Sequence, residues 1–167
     1  MQTMLDYPGF ILLTGLGATV IMDLWGLARK PLLGVAPPDY ALVGRWLAFM
    51  PRGRFRHESI KASPPVRAEG FIGWLAHYLI GITFAGVLVA FWGSGWTQQP
   101  TLAPALMVGV GTLAAPFLLM QPGMGAGIAS TRTPRPNAAR LQSLITHLVF
   151  GFGLYLAGWI AHWLCLH

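Results

Sequence analysis

A chain of 167 residues that is 54% hydrophobic and only 10% charged, with a mean hydropathy of +0.57, cannot clothe a globular surface, where roughly a quarter of residues are charged. It reads as one integral membrane domain, residues 1–167, with room for four spans of about 20 apolar residues and no separate soluble domain. The net charge of +6 would suit nucleic acid in a soluble protein, but the basic residues gather in two loops, as membrane orientation demands, and nucleic acid is excluded as a partner.

The first predicted helix runs from Pro8 to Ala28. Pro8 suits a first turn, and Arg29-Lys30 ends the apolar run at a polar surface. Asp6 in place of a basic region, with no small-residue cleavage site after the run, marks a retained helix rather than a signal peptide. Small residues at Gly15, Ala18, Thr19 and Gly26 recur every three or four positions, so one face can approach a neighbour closely. Asp23 lies one turn beyond Thr19 on that face. It is either a carboxylate reaching the interface or a member of an intramembrane site.

The polar stretch 29–68 holds eight of the eleven basic residues. Within it, Pro38-Asp39 reads as a helix start, after which Leu42, Val43, Trp46, Leu47 and Met50 fall on one side at helical spacing. This predicts a short interfacial helix. The basic segment that follows, with Arg52, Arg54, Arg56 and His57 around Phe55, suits anionic lipid head groups, and Arg45 belongs to the same set of expected anion or lipid contacts. A solvated loop held by the positive-inside bias is the simpler reading of the same charges.

Helix two is predicted over Glu69–Trp92, helix three over Thr101–Met120 and helix four over Ala139–Leu164. The connection after helix two has no charge, whereas the one after helix three carries Arg132, Arg135 and Arg140. All eleven basic residues then lie on one side, which places them in the cytoplasm and both termini outside. Cys165, the lone cysteine, offers neither a disulfide nor a metal-ligand spacing and is assigned to packing. His162 and His167 are expected at the outer interface.

The chain repeats itself. Ala76-His77-Tyr78-Leu79-Ile80-Gly81 and Thr146-His147-Leu148-Val149-Phe150-Gly151 each set a histidine four residues before a glycine, with an alanine nine residues earlier (Ala68, Ala138) and a Pro-led start (Ser63-Pro64, Thr133-Pro134). Gly15-x-Gly17 and Gly109-x-Gly111 extend the match to helices one and three. The fold class expected is therefore an all-α membrane protein, two parallel-repeat helical hairpins plus an interfacial helix.

At 1.5 Å per residue from the cytoplasmic ends, Asp23, His77 and His147 lie about 9, 12 and 10 Å deep. Pro116 should kink helix three at that level. Ionisable groups at such depth need a partner. Four readings stay open: a divalent transition metal held by His77, His147 and Asp23; a haem b with the two histidines as axial ligands and Gly81 and Gly151 clearing space; a cation or proton path in which Thr19 also takes part; or histidines that only pin helix packing. The alternating glycines Gly123, Gly125 and Gly127, near Arg132, could offer an anion nest, but lack the lysine and strand context of a P-loop, and a flexible turn serves equally.

Taken together, Gly17-Ala18-Thr19-x-x-Met22-Asp23-x-Trp25, Gly44-Arg45-Trp46, Gly73-Trp74-x-x-His77-Tyr78, Pro100-Thr101-x-x-Pro104-Ala105 and Gln121-Pro122-Gly123-Met124-Gly125 resemble family 2938 of the domains of unknown function, small predicted inner-membrane proteins of bacteria. The resemblance implies a bacterial inner-membrane location. It brings no activity, cofactor or catalytic residue. A cation or proton carrier is the leading expectation, with a haem or metal redox protein and a structural partner of another membrane protein as alternatives. Four spans enclose little space, so transport would call for a homo-oligomer.

Overall fold

Four helices in the computed structural model, which describes residues 6–165, are long and apolar enough to cross a membrane: Tyr7–Leu33, Glu69–Gln98, Leu102–Gly123 and Pro136–Leu164. His167 and the side chain of Cys165 lie outside the described residues. The helices in order are α1 (Asp6–Leu33), α2 (Tyr40–Phe49), α3 (Glu69–Gln98), α4 (Leu102–Gly111), the single turn α5 (Gln121–Gly123) and α6 (Pro136–Cys165), with no strand among the described residues.

The differences from the expected boundaries have local causes. Arg29-Lys30 does not end α1, because a basic residue in a last turn complements the carbonyl end of a helix. The stop is Gly34, whose φ of +67° lets its N–H return to the Lys30 carbonyl at 3.0 Å. Helix α3 breaks where expected, after Trp92, at Gly93 (φ 64°, ψ −159°), and then resumes as far as Gln98. Pro116 interrupts the third span as foreseen: α4 closes at Gly111, and Pro116–Met120 forms a π-helical stretch before α5. A proline has no N–H for the carbonyl one turn back, so the ladder slips.

The residues group into two compact units. The first comprises Met1–Pro37, Tyr78–Thr112 and Thr146–His167. Its core is built of small side chains and a few large ones: Ala18, Ala85, Ala105 and Ala161 with Phe10, Leu88, Trp96, Phe150 and Leu154. Glycines set the helix approaches. A Cβ at Gly15 would stand 2.5 Å from the Ile82 Cα on α3, and one at Gly109 would stand 2.6 Å from the Gly151 Cα on α6. Ala18 of α1 meets Gly153 of α6, where a Cβ would be 3.0 Å from its Cα. Backbones this close gain dispersion and exclude lipid without large side chains. Outward, Leu12, Leu13, Val20, Leu24 and Leu27 on α1 and Leu148, Phe152, Leu156, Ile160 and Trp163 on α6 are exposed at helical spacing, as a hydrocarbon solvent permits.

The second unit comprises Pro38–His77 and Leu113–Ile145. Here α2 starts as predicted: the Asp39 carboxylate accepts from the Ala41 N–H at 3.0 Å. Replacing Asp39 with alanine is expected to cost about 1 kcal/mol, read as a lower unfolding temperature of the detergent-solubilised protein. Residues 38–67 are more than a solvated loop. Gly44 of α2 and Gly73 of α3 touch the opposing backbone, so a Cβ on either would fall on the Glu69 or Tyr40 carbonyl oxygen. Arg45 then reaches Glu69 as a two-point fork, Nε to Oε2 at 2.8 Å and Nη2 to Oε1 at 2.7 Å. Its Nη1 donates to the Ser63 carbonyl at 2.9 Å. The hydrogen bond to Glu69 raises the Arg45 guanidinium above its usual value despite partial burial.

Trp46 lies against Gly123 and donates its indole N–H to the Phe55 carbonyl at 2.9 Å. The His57 and Ile60 N–H groups donate to the Gly123 and Met124 carbonyls at 2.9 and 3.0 Å. His57, read from sequence as part of the basic loop, is instead only 8% exposed, with Nδ1 2.9 Å from the Ser63 hydroxyl.

Candidate functional site

Several polar side chains of the first unit are engaged along its apolar helices, whereas the buried Thr14 hydroxyl and Trp25 indole N–H have no hydrogen-bond partner among the described residues. Thr19 is fully buried and donates to the Gly15 carbonyl one turn earlier at 2.7 Å, while its hydroxyl rests where a Cβ on Gly81 would be. One turn further along α1, Asp23 accepts a hydrogen bond from the Tyr78 hydroxyl at 3.0 Å. The Gly15–Ile82 contact therefore sets the separation at which a tyrosine on α3 reaches a carboxylate on α1. A donor to a charged acceptor makes one of the stronger hydrogen bonds available.

His147 on α6 is 2.6 Å through Nδ1 from the Thr112 hydroxyl. Thr112 spends its own proton on the Gly109 carbonyl at 2.5 Å. Its oxygen can then accept a hydrogen bond from Nδ1 of His147. Beside it, the Thr146 hydroxyl lies 3.5 Å from Nη1 of Arg29, a residue 7% exposed whose Nη2 donates to the Ala36 carbonyl at 2.7 Å.

Of the residues singled out in the sequence, Thr19, Asp23 and His147 belong to the first unit and His77 to the second. The His77 ring stacks on Tyr40, with centroids 4.1 Å apart and planes 25° apart, and meets the edge of Trp74 at 6.0 Å. Asp23, His77 and His147 were expected as a metal set; among the described residues there is no group of three or more His, Cys, Asp or Glu side chains that could hold a metal ion. His162, expected at the outer interface, has Nδ1 3.1 Å from the Thr97 carbonyl.

The expected anion contacts lie in the second unit. Arg45 is committed to Glu69, whereas Arg52 and Arg54 stand over the Phe49 ring. Gly123 makes room for Trp46, and Gly125 for the Glu58 carbonyl. The N–H groups of Gly125 and Ala126 donate to the Pro122 and Gln121 carbonyls, so this turn spends those donors on its own chain. Arg132 is exposed, and its own N–H donates to the Ala126 carbonyl at 2.8 Å.

Sequence reasoning passed over Tyr78, Thr112, Thr146 and Arg29. Arg29 stands in the sequence as a boundary charge, and the Lys30-Pro31 that follows it gives no signal that α1 continues to Leu33. Thr112 stands four residues before Pro116, the position whose carbonyl a proline leaves unpaired.

A family model described as a protein of unknown function, DUF2938, matches residues 12–161. No curated protein and no solved structure matches the chain.

Proposed function

Since the chain belongs to the family of unknown function DUF2938, its own residues must carry the functional reading, and we propose that it is a bacterial inner-membrane protein that moves protons through Asp23 and His147. The observation that carries this is the Tyr78 hydroxyl donating to Asp23 at 3.0 Å between two candidate spans. A carboxylate in a span is costly and is retained where it faces a partner and does work.

Both ends of the path have relay chemistry. The carboxylate and the tyrosine hydroxyl of the pair can exchange a shared proton, and a hydroxyl both donates and accepts. At His147 the imidazole can take up and release a proton while Nδ1 stays against the Thr112 hydroxyl. The metal reading lacks its ligand set.

The repeat belongs to the same reading. Its support is that Gly15 meets α3 beside Gly81, that Gly109 meets α6 at Gly151, and that each α3 or α6 glycine follows its histidine by four residues. Two parallel hairpins related by an axis along the membrane normal follow from it. The eleven basic residues favour both termini in the periplasm.

The test is purified protein in vesicles containing a pH-sensitive dye, with an imposed membrane potential. Dye response well above that of protein-free vesicles is expected. A response equal to theirs would remove the proposal.

A further inference from the structure

Charge is divided unequally between the two units. Nine of the eleven basic and three of the five acidic residues fall in the second unit, which thus carries the whole +6 of the chain. Of its three acids, Glu69 is committed to Arg45 and Asp39 caps α2. A turn built after α2 gathers part of the excess.

That turn is held by its own backbone. Phe49 ends α2, Met50–Arg52 makes one 3-10 turn, and the Gly53 and Arg54 N–H groups donate to the Met50 and Phe49 carbonyls at 2.9 and 3.3 Å. The Trp46 indole fixes the Phe55 carbonyl. Phe49 is 5% exposed, with His57 packed against it at a centroid distance of 5.1 Å. Over this ring stand the Arg52 and Arg54 guanidinium groups, their Cζ atoms 5.7 and 5.1 Å from its centroid. Both side chains are exposed, and among the described residues neither is paired with a carboxylate. Phe55, between Arg54 and Arg56, is 59% exposed.

A guanidinium lying on an aromatic ring loses rotamer freedom while its N–H edge still points outward, which is how arginine is prepared for a phosphate oxygen. Two such groups on one ring, beside an exposed phenyl side chain, match an amphiphile with an anionic phosphate next to an apolar body. The four candidate spans tether the turn to a bilayer, where such amphiphiles are in large excess over soluble phosphates. We infer that the turn from Phe49 to Arg56 binds the phosphate of an anionic phospholipid headgroup through Arg52 and Arg54, with Phe55 against its glycerol and acyl region.

The full chain in detergent, titrated with short-chain phosphatidylglycerol, with phosphatidylcholine and with inorganic phosphate, and followed by native mass spectrometry, tests this. Phosphatidylglycerol should bind in preference to phosphatidylcholine. Replacing Arg52 and Arg54 together with glutamine should weaken it roughly tenfold or more, since each surface cation contributes a few-fold to anionic lipid attraction. Arg67→Gln, which removes another exposed charge of the same unit, should change it by no more than about the few-fold due to one charge. These exposed side chains can be replaced without disturbing Phe49, which an unchanged unfolding temperature would verify. Equal binding of the two lipids, an undiminished double variant, or an equally large loss in Arg67→Gln would overturn the inference. Inorganic phosphate displacing the lipid at equal concentration would reassign the turn to a free phosphate.

Discussion

Asp23→Asn is expected to lower proton movement into vesicles to the level of protein-free controls while leaving the protein folded. Asparagine keeps the volume and can still accept the Tyr78 hydrogen bond, but it cannot take up a proton. Tyr78→Phe should act differently. It keeps the ring and removes the donor to the carboxylate, a bond to a charged group worth about 1.5–3 kcal/mol, so flux should fall roughly tenfold or more and the unfolding temperature should drop as well. Equal flux in wild type and Asp23→Asn would leave Asp23 as a packing residue.

The second large effect is on stability. Gly15→Leu and Gly109→Leu should each destabilise the first unit by about 3 kcal/mol or more, at the upper end of overpacking costs, because the first side-chain carbon already overlaps the Ile82 or Gly151 backbone. A backbone cannot rotate away as a side chain can. Gly111 is the control, since nothing lies within 4 Å of a Cβ there. Gly111→Ala should be neutral within about 0.5 kcal/mol, or slightly stabilising from helix propensity. Unfolding of the solubilised variants by heat or detergent titration reads all three. Matching losses at Gly15 and Gly109 would favour the two-hairpin repeat, and a loss at one alone would count against it.

What could be read from the sequence followed from periodic or compositional signals. The four spans come from apolar runs of sufficient length, the start of α2 from Asp39 after Pro38 and the break in the third span from Pro116; the helical turn that resumes after Gly93 as far as Gln98 had been expected as a loop. The small residues of α1 marked close approaches at Gly15 and Ala18, whereas Gly111, singled out by the same kind of spacing, meets nothing within 4 Å. The second unit was out of reach. It depends on Gly44 and Gly73 meeting opposing backbones, and on Gly123 meeting Trp46, pairings that connect distant residues and leave no periodic trace.

The candidate site was half legible for a related reason. Asp23 and His147 stand out because charge and imidazole are rare in hydrocarbon. Their partners, Tyr78 and Thr112, are residues that a span tolerates anywhere, so only geometry distinguishes them. The repeat singles out His77, and its ring lies on Tyr40 of α2, an aromatic that nothing in the repeat would have nominated.

The central claim is that Asp23 takes up and releases a proton beside Tyr78. Acid-minus-alkaline infrared difference spectra of the vesicle-embedded protein address it most directly. The account predicts a carbonyl stretch of a protonated carboxyl that disappears in Asp23→Asn and shifts in Tyr78→Phe. A spectrum without that band, or one that both variants leave unchanged, would contradict it.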